Sequence, residues 1–253
     1  MKKLFYRLIY PLYIPIWILI LMLSTVIIGP IIIIILFIPH LDRGARFTYR
    51  YLALLWARIN LTLSGVRVRV IGKEKVDRNK SYIVMANHQS NFDVLALATR
   101  LPLQLRWVAK RELLKVPIFG FAIKRMGMII IDRRDPDKAH ESMKVADEKI
   151  KSGLSVIILP EGTRSKDGRL LEFKKGGFVM ALSTKTPILP VTINGSRFCL
   201  PKGGLFSLKP GRIQMIIHDI VDVAGLTVED RDMLLTKVRG IIEGSLDLSY
   251  GKL

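Results

Sequence analysis

The sequence predicts an α/β fold: a mixed sheet covered by helices, preceded by an N-terminal helical membrane anchor. Three observations predict it. Short apolar runs alternate with helical patterns from residue 66 onward. Polar and charged residues recur directly after those runs. The amino-terminal stretch from Leu8 to Pro39 carries no charged residue.

That apolar stretch comes first. No small-residue cleavage site follows it, so it does not read as a removed signal. As one straight helix, about 32 residues would extend roughly 48 Å, beyond a ~30 Å hydrocarbon core. Two full spans of about 20 residues each do not fit either. Gly29-Pro30 lies inside the run and predicts a break. Lys2, Lys3 and Arg7 precede the stretch and Arg43, Arg46 and Arg50 follow it, so both flanks are basic. A broken hairpin that enters one leaflet and returns suits those flanks better than a single tilted span. Residues 1–65 therefore form the expected anchoring segment, completed by a helix over "RFTYRYLALLWARINLTLSG" that stops at Gly65.

Residues 66–253 contain no repeat, low-complexity tract or linker and read as one domain. "VRVRVIG" (Val66 to Gly72) alternates with period two, as an edge strand does. Further strands are expected at Ile83–Ala86, Leu105–Ala109, Met128–Ile131, Ser155–Leu159, Ile188–Ile193 and Ile213–Ile217. Helical patterns lie near Phe92–Thr99, Pro117–Met126, Lys138–Lys151, Gly177–Ser183 and Val228–Leu246.

Bulk composition narrows the partners. Half of the chain is apolar, yet Lys+Arg is 40 against 21 for Asp+Glu, a formal charge of +19. That combination suits an anionic phospholipid membrane and phosphorylated substrates. RNP-like aromatics, zinc-finger spacing and a basic heptad region are all absent, so nucleic acid is not an expected partner. The single cysteine, Cys199, excludes an intrachain disulfide and reads as a small buried apolar residue. His40, His88, His140 and His218 are scattered without metal-ligand spacing, so neither a metal nor a cofactor is expected.

In open α/β sheets, ligands collect beyond the carboxyl ends of the strands. There this chain places Asn87-His88, then Lys110-Arg111, Asp132-Arg133-Arg134, Pro160-Glu161-Gly162-Thr163-Arg164 and Asn194-Gly195-Ser196-Arg197. A histidine, a carboxylate and several cations would share one rim and attract an anion. His88 and Asp93 are about 140° apart on a continuous helix. However, "SNFD" (Ser90 to Asp93) matches a capping box, which would start the helix at Ser90 and let Asp93 fold back toward His88. Asp93 then either orients the His88 imidazole or serves only as a cap, and the spacing leaves both open. In "LPEGTRSKDG", Gly162 permits close backbone approach, Thr163 offers a hydroxyl and Arg164 a fork for phosphate oxygens.

"NHQSNFD" and "LPEGTRS" resemble the N-H-x-x-x-x-D and F-P-E-G-T-R-S motifs of the glycerolipid acyltransferase family, with Leu159 where phenylalanine is usual. "AKRELLKVPIFGFAIKRMGMIIIDR" and "ILPVTING" resemble the second and fourth family blocks, so the likeness covers roughly residues 66–200 with its motifs in order. Within the family it is most similar to the bacterial-type lysophosphatidic acid acyltransferases. The resemblance implies acyl transfer from acyl-CoA or acyl carrier protein to the sn-2 hydroxyl of lysophosphatidic acid, at the cytosolic face of the inner membrane. It makes His88 the general base and Asp93 its orienting partner. Arg164, with Thr163 and the Gly162 backbone, would hold the phosphate, with Lys110 and Arg133 adding charge. Glu161 would either hydrogen-bond the glycerol or brace the loop. Another acceptor, such as glycerol 3-phosphate, a lyso-ornithine lipid or another lysophospholipid, is the alternative within the family. A non-catalytic membrane-binding protein is the alternative outside it.

Overall fold

The computed structural model describes residues 10–38, 41–42, 45–131 and 136–252. Seven strands form one sheet: β1 (Val66–Ile71), β2 (Ile83–Ala86), β3 (Leu105–Lys110), β4 (Ile129–Ile131), β5 (Ser155–Ile158), β6 (Ile188–Asn194) and β7 (Gly211–Ile217). Their order is β1-β7-β6-β2-β5-β3-β4. Strands β2 to β6 are parallel, β7 joins β6 antiparallel, and β1 lies parallel to β7 at the edge. The sheet is mixed, as the alternation of elements led us to expect.

Composition follows position. The central strands β2, β5 and β6 are buried at every residue, and each reads as an almost continuous apolar run. The edge strand β1 alternates, with Arg67 and Arg69 facing solvent. Those charges protect an unpaired edge from adding another strand.

Among the described residues, two α-helices precede the sheet. Helix α1 (Tyr10–Phe37) is followed by a π-helical turn (Thr48–Ala53) that runs into α2 (Leu54–Leu63). Polar ties fasten them antiparallel: Tyr13 Oη to the Leu63 carbonyl at 3.2 Å, Trp17 Nε1 to the Asn60 carbonyl at 3.1 Å, and Trp56 Nε1 to Thr25 Oγ1 at 3.0 Å. One face of α1 joins the core through Ile14, Trp17, Ile28 and Ile32. The other exposes Leu12, Ile16, Leu19, Leu23, Ile27 and Ile34. From Leu12 to Phe37 this helix is long and apolar enough to cross a membrane.

The expected break at Gly29-Pro30 does not occur: α1 runs unbroken through Pro15 and Pro30. An interior proline costs a helix about 3 kcal/mol in isolation. Here the flanking turns are held by the ties to α2, and the Ile118 side chain seats against Gly29, where a Cβ would collide with it. Packing on both sides of the proline outweighs the local preference.

The remaining helices are α3 (Phe92–Arg100), α4 (Phe119–Arg125), α5 (Pro136–Lys151), α6 (Gly176–Ser183), α7 (Ser196–Cys199) and α8 (Arg231–Glu243). Helices α3 and α2 pack together beside the β2–β6 centre, while α6 and α8 cover a second core around Phe178, Val238 and Ile242. The sheet is thereby covered on both faces, and the ends of its parallel strands remain free to form a site.

Candidate active site

The site is built on three adjacent strands. Strand β2 ends in Asn87-His88, and its neighbours β6 and β5 end in Asn194 and Pro160-Glu161. Asn87 braces the first pair of strands: its Nδ2 donates to the Ile193 carbonyl at 2.8 Å, and its Oδ1 accepts the Ile193 amide at 2.7 Å. The side chain thus mimics a peptide unit where β2 leaves the sheet.

His88 follows. Its Nδ1 lies 2.8 Å from Asp93 Oδ2, with 14% of the histidine side chain exposed and none of the aspartate. The same Oδ2 accepts the amides of Gln89 at 2.7 Å and Ser90 at 2.8 Å. An oxygen already accepting two amide hydrogens acts as an acceptor toward His88 as well, so Nδ1 carries the hydrogen. In the neutral imidazole Nε2 then carries the lone pair, and among the described residues it has no hydrogen-bond partner. A buried carboxylate orienting one imidazole nitrogen while the other waits for a proton is the arrangement of a general base.

The local turn differs slightly from the expected capping box. The helix begins at Phe92, and Ser90 Oγ accepts the Phe92 amide at 3.1 Å while donating to the Leu200 carbonyl at 2.8 Å. Only half the box forms, the half in which the Asp93 carboxylate returns to the preceding amides. One Asp93 oxygen makes both contacts between which the spacing did not choose: it accepts the Gln89 and Ser90 amides and lies 2.8 Å from His88 Nδ1.

Glu161 crosses from β5 and braces the loop. Its Oε1 accepts the His88 amide at 2.6 Å, and its Oε2 accepts the Leu171 amide at 3.0 Å. Burial raises its pKa above the ordinary carboxylate value, and the two amides oppose that rise. The loop beyond it turns at Gly162, whose φ of 68° favours glycine. Two residues after Thr163, the Ser165 amide donates to the His88 carbonyl at 2.8 Å. The Glu161–Ser165 loop is thus pinned to the backbone of the histidine on both sides. Arg164 is half-buried and, among the described residues, no carboxylate pairs with it.

The other expected cations fare differently. Register relates Trp107 to Ile157 and Ile157 to Val84, so Lys110 ends β3 at nearly the level where β2 reaches His88. With β5 between them, the two backbones stand two strand spacings apart, about 10 Å. The Lys110 side chain and all of Arg133 lie outside the described residues. The Arg197 guanidinium packs on Gly168, at the far end of the loop segment, and donates to the Leu248 carbonyl at 2.7 Å.

One cation escaped the sequence reading. Lys202 Nζ donates to Thr163 Oγ1 at 3.0 Å and to the Arg164 carbonyl at 2.8 Å. A single lysine in the "LPKGG" turn carries no motif, and only the neighbouring positions of β6 and β2 in the sheet could have pointed to it.

An apolar cavity of about 120 Å³ lies between the amino-terminal helices and the sheet, lined by Ile28, Gly29 and Trp56 on one side and by Val94, Leu95 and Ala98 of α3 on the other. Among the described residues, no group of three or more His, Cys, Asp and Glu side chains converges as metal ligands do. Burial, and then the nearby Asp93 charge, push the Cys199 thiol up to about 12, which makes it a poor nucleophile.

Fold and site together define a class: an α/β protein with a histidine–aspartate dyad at the carboxyl rim of its sheet, beside a loop that carries Arg164. Residues 67–194 match the family model described as Acyltransferase. The crystal structure of the 1-acyl-sn-glycerophosphate acyltransferase PlsC from Thermotoga maritima matches with a TM-score of 0.70 at 30% identity, covering 89% of this chain and 93% of that one. The 1-acyl-sn-glycerol-3-phosphate acyltransferase of Pseudomonas aeruginosa is 35% identical over 185 residues, 71% of this chain and 70% of that protein. The chloroplastic enzyme LPAT1 of Arabidopsis thaliana is 32% identical over 213 residues, 84% of this chain and 58% of that protein. The chain spans about three-fifths of the length of its chloroplast and mouse relatives. This chain belongs to the acyltransferase family.

Proposed function

We propose that the protein transfers a fatty acyl group from an acyl thioester, of coenzyme A or acyl carrier protein, to the sn-2 hydroxyl of lysophosphatidic acid, giving phosphatidic acid. The observation that carries this reading is the 2.8 Å His88–Asp93 contact, with Nε2 left open beside the loop of Arg164. The relatives' names supply the acceptor.

In this reading His88 Nε2 takes the hydroxyl proton as the oxygen attacks the thioester carbonyl. Asp93 stabilises the imidazolium that forms. The tetrahedral intermediate collapses with cleavage of the C–S bond, and the imidazolium returns its proton to the departing thiolate. No covalent acyl-enzyme is needed, and the thiol of Cys199 is held protonated. Arg164, Thr163 and the Gly162 backbone take the acceptor's phosphate, while Glu161 holds the two loops in register. Lys110 at the end of β3, and Arg133 by the family resemblance, add positive charge for the phosphates of acceptor or donor.

The cavity beside α3 accommodates part of the acyl chain, because it is apolar and its wall begins one residue after Asp93. The outward apolar stripe of α1 enters the cytosolic leaflet of the inner membrane, so that residues 1–65 anchor the acyltransferase domain of residues 66–253. A lipid acceptor and a water-soluble donor then meet at one interface.

Purified protein in vesicles containing lysophosphatidic acid, supplied with labelled palmitoyl-CoA or palmitoyl-acyl carrier protein, tests the reading. Thioester-dependent phosphatidic acid, lost in His88→Ala, is the expected result. Folded wild-type protein that makes none with either donor would overturn the acceptor assignment.

A further inference from the structure

Two cations on the Glu161–Ser165 side of the rim have no carboxylate partner among the described residues. Lys202 Nζ donates to two neutral oxygens, Thr163 Oγ1 and the Arg164 carbonyl, and among the described residues no carboxylate pairs with it. Arg164, on the loop that Lys202 touches, likewise has no carboxylate partner among the described residues. Glu161 is the carboxylate at the head of that loop, and its two oxygens are taken by the amides of His88 and Leu171. Two positive charges brought to one short loop repel each other, and bonds to neutral acceptors do not remove that repulsion.

The position of Lys202 is fixed from both sides of the site. Two residues earlier, the Leu200 carbonyl accepts Ser90 Oγ from the histidine turn at 2.8 Å. The segment Leu200–Lys202 therefore bridges the His88 turn to the Thr163–Arg164 loop. Lys202 is exposed, so the ammonium is open to an incoming ligand.

We propose that Lys202 is a third ligand for the acceptor's phosphomonoester, beside Arg164 and Thr163. When the phosphate binds, the ammonium exchanges its neutral partners for phosphate oxygens, and the flexible four-carbon stem makes that exchange without backbone movement. The inference rests on the proposed reaction and assigns it a binding residue outside the recognised motifs. It also explains why this turn is tied to Ser90: the tie sets the distance between the phosphate and the base.

The test compares wild type with Lys202→Met, Lys202→Arg and, as a charge control, Lys185→Met. Lys185 precedes β6 at the opposite end of the strands and donates to the Leu226 carbonyl. Steady-state kinetics are measured for acceptor and thioester separately, with equilibrium binding of lysophosphatidic acid in micelles without donor. Lys202→Met is expected to raise the KM and Kd for lysophosphatidic acid about tenfold, about 1.4 kcal/mol. The thioester KM should stay within twofold, Lys202→Arg should recover most of the loss, and Lys185→Met should match wild type. A lower kcat with unchanged acceptor KM and Kd would make Lys202 a lock on the loop and overturn the proposal. So would a rise in the thioester KM alone. If wild type binds lysophosphatidic acid but makes no phosphatidic acid, the reaction falls, and the binding ratio between wild type and Lys202→Met still judges the residue.

Discussion

On the base side of the rim, Asp93 Oδ2 accepts three hydrogen bonds, and Glu161 and Asn87 complete the backbone of the same turn. On the cation side, Arg164 has no carboxylate partner among the described residues, and Lys202 makes do with neutral oxygens. In the proposed reaction the contrast separates two tasks. A base works from one fixed geometry, which internal hydrogen bonds supply before any substrate arrives. A phosphate site must keep its charge uncompensated, because an internal carboxylate there would compete with the ligand.

The largest effect should come from breaking the base side. His88→Ala is expected to lower kcat by about 10²–10⁴-fold with little change in acceptor binding. A loss confined to acceptor KM would reverse the roles assigned to the two sides. Next comes the cation side: Arg164→Ala removes a charge-assisted contact of ~1.5–3 kcal/mol, so kcat/KM for lysophosphatidic acid should fall roughly 10- to 150-fold. Its melting temperature should hold, since no described contact of the guanidinium is lost. A large drop in melting temperature would show a hidden structural partner.

Glu161→Gln sharpens the comparison through stability. A glutamine offers one carbonyl oxygen to two amides and sets an NH₂ against the second, so unfolding free energy should fall by about 1–3 kcal/mol. Denaturant titration measures it, and an unchanged midpoint would deny the brace.

The smallest effect at neutral pH is one that emerges only as a slope in alkaline solution. The Cys199 thiol, held near 12 by burial and then by Asp93, stays protonated in the folded chain well above the ordinary thiol value of ~8.5. Above that value the unfolded chain has released a proton that the folded chain keeps. The unfolded state then binds fewer protons, so stability falls as pH rises from about 8.5 toward 12, at most ~1.4 kcal/mol per pH unit. Thermal melts across this range should decline more steeply in wild type than in Cys199→Ala. Parallel slopes would mean that the thiol is not insulated.

Much of this was legible in the chain. The run Ile83–Ala86 is a strand at those same residues, and "VRVRVI" lies at the sheet edge that its alternation predicts. Gly29-Pro30 misled because proline's cost is local, whereas Trp17, Trp56 and Ile118 hold the helix from outside it. Ser90 misled in part, because its Oγ accepts the Phe92 amide and the Asp93 amide turns to the Ser90 carbonyl, while the hydroxyl hydrogen goes to the distant Leu200 carbonyl.

By itself the sequence determined the alternation of elements, the apolar amino-terminal helix, and the residue types at the strand ends. Side-chain periodicity and turn chemistry are local properties and survive being read one residue at a time. Only the tertiary structure decided that β2 lies between β6 and β5. That order sets Glu161 against the His88 amide, brings the carbonyl of His88 to Ser165, and carries Lys202 to Thr163 across 39 residues of chain. Strand order is a choice among nonlocal pairings, settled by how the whole apolar surface is best buried, and no single stretch of the chain contains it.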